Sequence, residues 1–307
     1  MKKLSLENLS EIEYVLYNKA RDIDVSIYNA LVEPSNKEFV LDSLMLYMTK
    51  DGGIGSGLHI DNYNPNASVY QTYEALRILS AVDFKEEEKT ALFEQIVNKL
   101  GNYLFNRCPI EDGLWNPFVK SNNDFAHSEE FSYLEYPYTI WGVHPTAAIL
   151  GYVLELVSPT KAYYKKALKQ IGYVFATLED NKPWNEYQFI SFNALLGSLK
   201  KLNLFPVERN KIEERLKKEA YQHVGEEDFN FAAYLSNVND LDQVLQDKVD
   251  AYLDALLDSR CSHGLWEHKK GWGSNRYPEA DSASLKWIGA ESVWNIYLLK
   301  QYGRIEE

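Results

Sequence analysis

Cys261-Ser262-His263-Gly264-Leu265-Trp266 closes one helix-like run and leads through a loop into another. The same device stands earlier as Glu111-Asp112-Gly113-Leu114-Trp115, and in a looser copy as Asp51-Gly52-Gly53-Ile54-Gly55. A helix that must stop and reverse commonly ends on a residue in the left-handed conformation, which Gly reaches without a Cβ clash. Gly52, Gly113 and Gly264 sit at those stops. The Leu-Trp or Ile that follows is apolar and can cover the helix just ended or the one to come. A turn repeated between helical runs marks a repeat architecture.

Working outward, helical spacing recurs along the chain. A run from Ser10 to Val32 opens on Ser10 as N-cap with Glu13 three residues on, and Pro34 ends it. Glu38 to Met48 follows, then Ser68 caps a run to Val82, and Glu86 to Phe105 is amphipathic. His144-Pro145 opens Ala147 to Leu156, which is apolar nearly all round, and an amphipathic run from Ser158 to Leu178 comes next. Asn185 to Leu202 is again apolar on every side, Pro206 to Gln222 is thick with charge, and Asp228 to Val238 is short and apolar. Asp240-Leu241-Asp242-Gln243 reads as a second capping box opening a run to Ser259, and Glu279 begins the last run. No strand alternation interrupts the series. A helix apolar on every face is surrounded by other helices, and its amphipathic neighbour meets water. The expectation is therefore an all-α chain, a single domain over residues 1–307, forming an alpha/alpha toroid: a double ring of inner and outer helices built from five to six helical hairpins.

Composition bounds the function. The 307 residues are 45% hydrophobic and 25% charged, which suits a sizeable core. Aromatics reach 14%, with 22 Tyr and 7 Trp, enough for a large core or a ring-lined cavity. A formal net charge of −13 repels phosphate backbones and argues against nucleic-acid binding. No stretch of about 18 apolar residues is present, so no membrane span is expected. Met1-Lys2-Lys3 is followed by no apolar core of a secretory signal, and Cys108 and Cys261 make no disulfide framework, so a cytoplasmic setting is the expectation.

Outer run, Asp51-Gly52-Gly53-Ile54-Gly55, loop, then Ser68 to Leu79 resembles the repeat of the terpenoid cyclase and protein prenyltransferase toroids. Asp112-Gly113-Leu114-Trp115 and His263-Gly264-Leu265-Trp266 resemble the same repeat's Gly-x-Trp turn, without its usual upstream Gln. The resemblance implies a cavity for an isoprenoid-type ligand. The cyclases' Asp-x-Asp-Asp acid motif has its nearest match in Glu279-Ala280-Asp281-Ser282, which puts Asp281 in the acid's place and a Ser where the adjacent Asp belongs. The prenyltransferase zinc motif is absent, and Asp258, Cys261, His263 and His268 have a different spacing. No diphosphate–magnesium motif and no cofactor motif appears. Six-hairpin glycan hydrolases and lyases share this shape, and some carry a Gly-Leu-Trp turn followed by His, as in Gly264 to His268. Their chemistry implies carboxylates beside aromatic platforms.

In such a toroid every outer-to-inner loop emerges at one mouth, where the inner helices also start. The candidate catalytic residues expected there are Asp281, Glu279 and His144. The candidate ligand contacts are Tyr70, Trp141, Trp184, Trp272, His127 and Glu130, several of them in the aromatic stretch Pro117 to His144. The expected partner is a small molecule in the central cavity. A glycan-active enzyme and a protein-binding scaffold are the alternatives, and these motifs leave open whether the chain is catalytic.

Overall fold

The computed structural model describes the chain except residues 34–35, 181, 262–263, 269–270, 273–275 and 307. Its described residues form thirteen α-helices and one pair of two-residue strands, so the all-α class holds. Helix α1 (Leu6–Lys19) is capped by Ser5, whose Oγ accepts the Asn8 amide at 3.1 Å. Helix α2 (Asp22–Val32) follows after a break at Ala20 and Arg21, both extended. The single helix read from Ser10 to Val32 is thus two. The break has a tertiary cause: the Arg21 guanidinium clasps Asp24 through two 2.8 Å contacts and donates to the Gly57 and Leu58 carbonyls at 3.2 and 2.9 Å. Ser10 lies inside α1, its hydroxyl bonded back to the Leu6 carbonyl. The stop assigned to Pro34 lies outside the described residues.

Helices α3 (Glu38–Met45) and α4 (Val69–Val82) follow, and Ser68 caps α4 as expected. Helix α5 (Ala91–Asn106) starts at a Thr90 cap, because Glu86–Glu88 form a separate 3-10 turn. After α6 (Tyr138–Trp141) come α7 (Thr146–Leu156), α8 (Ala162–Ala176) and α9 (Glu186–Lys201), the last opened by an Asn185/Gln188 capping box. Helices α10 (Pro206–Ala220), α11 (Phe231–Leu235), α12 (Gln243–Asp258) and α13 (Glu279–Gln301) complete the series. The cap of α12 is Asp242, which accepts the Val244 and Leu245 amides; Asp240, read as the cap, turns left-handed at φ +49° instead.

The repeated turn is real in atomic detail. Gly52, Gly113 and Gly264 have φ of +92°, +80° and +85°. Two residues after each, a backbone amide donates to a hydroxyl on the following buried helix: Ile54 to Thr72 (3.1 Å), Trp115 to Thr146 (3.0 Å) and Trp266 to Ser292 (3.2 Å). The two indoles reach back to carbonyls of the helix just ended, Trp115 to Leu104 at 3.1 Å and Trp266 to Leu256 at 2.8 Å. Each turn glycine also faces another amphipathic helix, with Lys99 of α5, Tyr173 of α8 and Glu11 of α1 as the neighbours.

Helix α7 is buried on every side and packs between α4 and α9, while α10 buries one stripe. Helix α4 also meets α2, α9 meets α11, and α13 returns to touch both α2 and α1. Among the amphipathic helices α3 meets α5 and α5 meets α8. The chain ends are tied together. Leu4 pairs with Ile305, and the buried Arg304 donates to Asp250 and Asp254 of α12 at 2.6 Å each and to the Lys2 carbonyl at 2.8 Å.

Candidate functional site: a cavity lined by buried helices

Between α4, α7, α9, α11 and α13 lies a cavity of about 670 Å³. Its walls have a helical rhythm. Helix α4 presents Tyr70, Tyr73, Glu74, Arg77, Ser80 and Ala81; α9 presents Ile190, Asn193, Ala194, Gly197, Ser198 and Lys201; α13 presents Trp287, Glu291, Trp294, Asn295, Leu298 and Gln301. Steps of three and four residues put each set on one face. From Tyr70 to Asp83, both at the wall, the helical rise gives a length of about 20 Å.

Charged groups sit partway along. Glu74 and Arg77 pair at 2.8 Å, and the Arg77 guanidinium lies 3.8 Å from the centre of the Trp294 ring. Burial raises the Glu74 carboxyl above its ordinary value, with Arg77 opposing. Burial works to lower Arg77, yet Glu74 and the nearby tyrosines hold it above its ordinary value, so it stays charged. His144 is pushed down to about 3, by burial first and by Arg77 second, and is therefore neutral. Its Nδ1 is hydrogen-bonded to Ser191 Oγ at 2.9 Å, and its buried Nε2 has no hydrogen-bond partner among the described residues. His59 is lowered by burial and then by Arg77, and it stacks on Phe131 at 4.5 Å. Burial keeps the Tyr70, Tyr73 and Tyr152 phenols protonated.

At the end where α4 and α13 begin, Asp61 accepts the indole N–H groups of Trp272 and Trp287, both at 2.7 Å. His268 stacks on Trp287 at 4.6 Å and bonds to Glu291 at 2.6 Å. At the opposite end Lys201 joins Asp83 and Glu155, and the Ser80 and Ser198 hydroxyls donate to Glu155 at 2.9 Å each. Burial would raise Asp83, but Lys201 and Lys85 outweigh it and hold the carboxyl at about 2.

Of the residues expected at a mouth, Tyr70 and His144 line this cavity. Trp141 is buried beside it, stacked on Tyr187 at 4.2 Å, and Trp184 stacks on Phe192 at 4.6 Å. Trp272 is held by Asp61, and both ring nitrogens of His127 are bonded within its own loop, to Phe125 and Ser132. Glu130 is exposed on the 3-10 turn Glu129–Phe131. Glu279 and Asp281 stand in the first turn of α13, Asp281 exposed, and neither is among the cavity-lining residues. Of the spaced metal candidates, His263 lies outside the described residues, and Asp258 pairs with Lys2 at 2.5 Å. Among the described residues no group of three His, Cys, Asp or Glu is placed to hold a metal ion.

Glu74, Arg77, Glu155, Glu291 and Trp294 were not singled out by sequence reasoning. Their signal was nonetheless present. Glu74 and Arg77 stand three apart in a run whose neighbours are apolar in every direction, and Glu155 stands alone near the end of another. A charge inside an all-round apolar helix faces either a partner or a cavity. No family model, curated protein or solved structure matches the chain.

Proposed function

We propose that the chain is an alpha/alpha toroid whose central cavity binds a neutral, hydroxyl-rich sugar chain, with a pair of carboxyl groups set to act on it. The ring is supported by the contacts that run α2–α4–α7–α9–α11 among the buried helices, by α3–α5 and α5–α8 among the amphipathic ones, and by the contacts that carry α13 back to α1 and α2. The ligand class rests on one observation: aromatic and polar residues are interleaved on the helices that line the cavity, Tyr70, Tyr73, Glu74 and Arg77 on α4 and Trp287, Glu291, Trp294 and Gln301 on α13. Sugars offer both faces to such a wall, apolar C–H patches to the rings and hydroxyls to the polar groups.

The isoprenoid expectation fits this wall less well. A hydrocarbon tail laid against Glu74 and Arg77 would strip water from both without replacing its hydrogen bonds. A diphosphate would meet Glu74, Glu155, Glu291 and Asp83, while Arg77 and Lys201 are already engaged by carboxylates. In the sugar reading Glu74 serves as the acid, since burial favours its protonated form, and Glu291, held by His268, is the second carboxylate. The acid role given to Asp281 by the cyclase resemblance is the competing assignment.

The test is a thermal-shift screen with neutral oligosaccharides and isoprenyl diphosphates side by side. A ligand of the folded state stabilises by about 2.7 kcal/mol at a hundredfold excess over its dissociation constant. Shifts from the sugars alone support the proposal. Shifts from the diphosphates alone return the chain to the cyclase-like reading.

A further inference from the structure

Helix α4 is buried on nearly every side, and its few open positions show where the space beside it lies. From Val69 to Leu79 every residue is buried except Arg77, and the next open ones are Ser80 and Ala81. Steps of three and four residues put these three on one face, and all three line the cavity. The Arg77 side chain keeps 31% of its surface open, and that surface therefore belongs to the cavity. The guanidinium is held on two sides. Its Nη2 bonds the Glu74 carboxyl at 2.8 Å, and the group lies over the Trp294 ring, 3.8 Å from its centre. Of its nitrogens only Nε is both enclosed and unpaired. Nη1 makes no hydrogen bond among the described residues and is not enclosed, so its two hydrogens are available from the cavity.

We infer that Arg77 is the specificity-determining contact of the cavity, its Nη1 donating to one hydroxyl oxygen of a sugar ring that lies midway along the wall. The inference rests on the sugar reading and names the group that selects among sugars. Glu74 and Trp294 already fix the guanidinium, so little side-chain freedom is left to lose when a ligand arrives. A guanidinium only donates, so it takes an acceptor oxygen. Nη2 is spent on Glu74, which leaves a single nitrogen rather than the two-pronged fork that a carboxylate takes, and a hydroxyl suits it. A donor made to bond one ligand oxygen discriminates sharply against a ligand without it, because the donor is then shut from water and left unpaired. The cavity therefore selects a ring with an oxygen at this one position and rejects the counterpart deoxygenated there. The same guanidinium touches the proposed acid, so the ring it selects sits next to Glu74.

A double-mutant cycle between Arg77 and the ligand separates recognition from mere support of the wall. Cellotriose, maltotriose and xylotriose are titrated calorimetrically into the wild type and Arg77→Lys, with melting temperatures recorded alongside. The trisaccharide that binds is then retested as its monodeoxy derivatives. Lysine keeps a cation opposite Glu74 and lacks the planar group with its second nitrogen. The expected result is that one monodeoxy form binds the wild type about tenfold more weakly than the parent sugar, and that Arg77→Lys weakens the parent about tenfold. Arg77→Lys should then bind that monodeoxy form and the parent within about twofold of each other. Should Arg77→Lys fail to fold, Arg77→Met/Glu74→Gln, which removes both charges together, takes its place in the cycle with the same expectation. Equal parent affinity in variant and wild type overturns the inference and leaves the sugar reading standing, as does a wild type indifferent to every deoxygenation. Losses that simply add at every position overturn it too, because Arg77 then only supports the wall. No binding of any trisaccharide to the wild type sinks the sugar reading itself and the inference with it.

Discussion

Acidification should destabilise this protein through His144 before most carboxylates are involved. The imidazole has an ordinary pKa of 6.5 and is held at about 3 in the fold, so the native state refuses a proton that the unfolded chain accepts. A depressed pKa contributes stability that is fully present above 6.5 and is lost as the pH falls toward the folded value. At pH 7.5 both states are neutral and the contribution is complete. At pH 5 the unfolded imidazole is almost wholly protonated and the folded one is not, which removes about 2 kcal/mol. His59 is also depressed, so the comparison needs a reference in which everything but His144 titrates. His144→Asn provides it. Urea unfolding of both proteins at pH 7.5 and pH 5.0 should show the wild type losing about 2 kcal/mol more than the variant. Equal losses in the two proteins would refute the claim that His144 is buried and neutral.

Removing Arg77 alone should be worse than removing the pair. Arg77→Met strands Glu74 in the interior and should cost about 3 kcal/mol, part of which Glu74→Gln restores in the double variant; strictly additive effects would mean the two side chains do not depend on each other. The turn glycines should differ among themselves. Gly264→Ala meets its nearest neighbour at 3.7 Å and should cost about 1 kcal/mol for the left-handed backbone, whereas at Gly113 the new Cβ would lie 2.4 Å from Tyr173 and force α8 to shift, so its melting temperature should fall much further. Equal falls would show that conformation alone matters at these turns. Asp281→Asn should leave both sugar affinity and melting temperature unchanged while Glu74→Gln abolishes any turnover of the bound sugar; the reverse pattern would restore Asp281 as the acid.

The parts of the fold that could be read from residue order are those with local causes. Left-handed glycines and hydroxyl or amide caps act within four residues of themselves, so the turns at Gly52, Gly113 and Gly264 and the starts at Ser68 and Asn185 are visible in the string. The partners of those turns, Thr72, Thr146 and Ser292, are tertiary and were not. The break between α1 and α2 was missed for the same reason, since Arg21 answers to carbonyls 36 and 37 residues away. At the site, reasoning from helix starts found Tyr70 and His144. It also collected Trp141 and Trp184, whose rings are packed in the core, because sequence cannot say which side of a ring is open. Glu74 and Arg77 stand within a helix rather than in a loop, and this cavity is lined mainly along the lengths of buried helices.

A sugar bound as proposed lies along the cavity wall beside the α13 indoles. Trp287 and Trp294 line that wall, while Trp184 is stacked in the core on Phe192. The most direct measurement is a tryptophan-fluorescence titration with the trisaccharide that shifts the melting temperature most. The wild type and Trp184→Phe should give the same saturable change, and Trp287→Phe/Trp294→Phe should lose it. A full signal from the protein lacking both cavity indoles, or none from the wild type, would contradict the account.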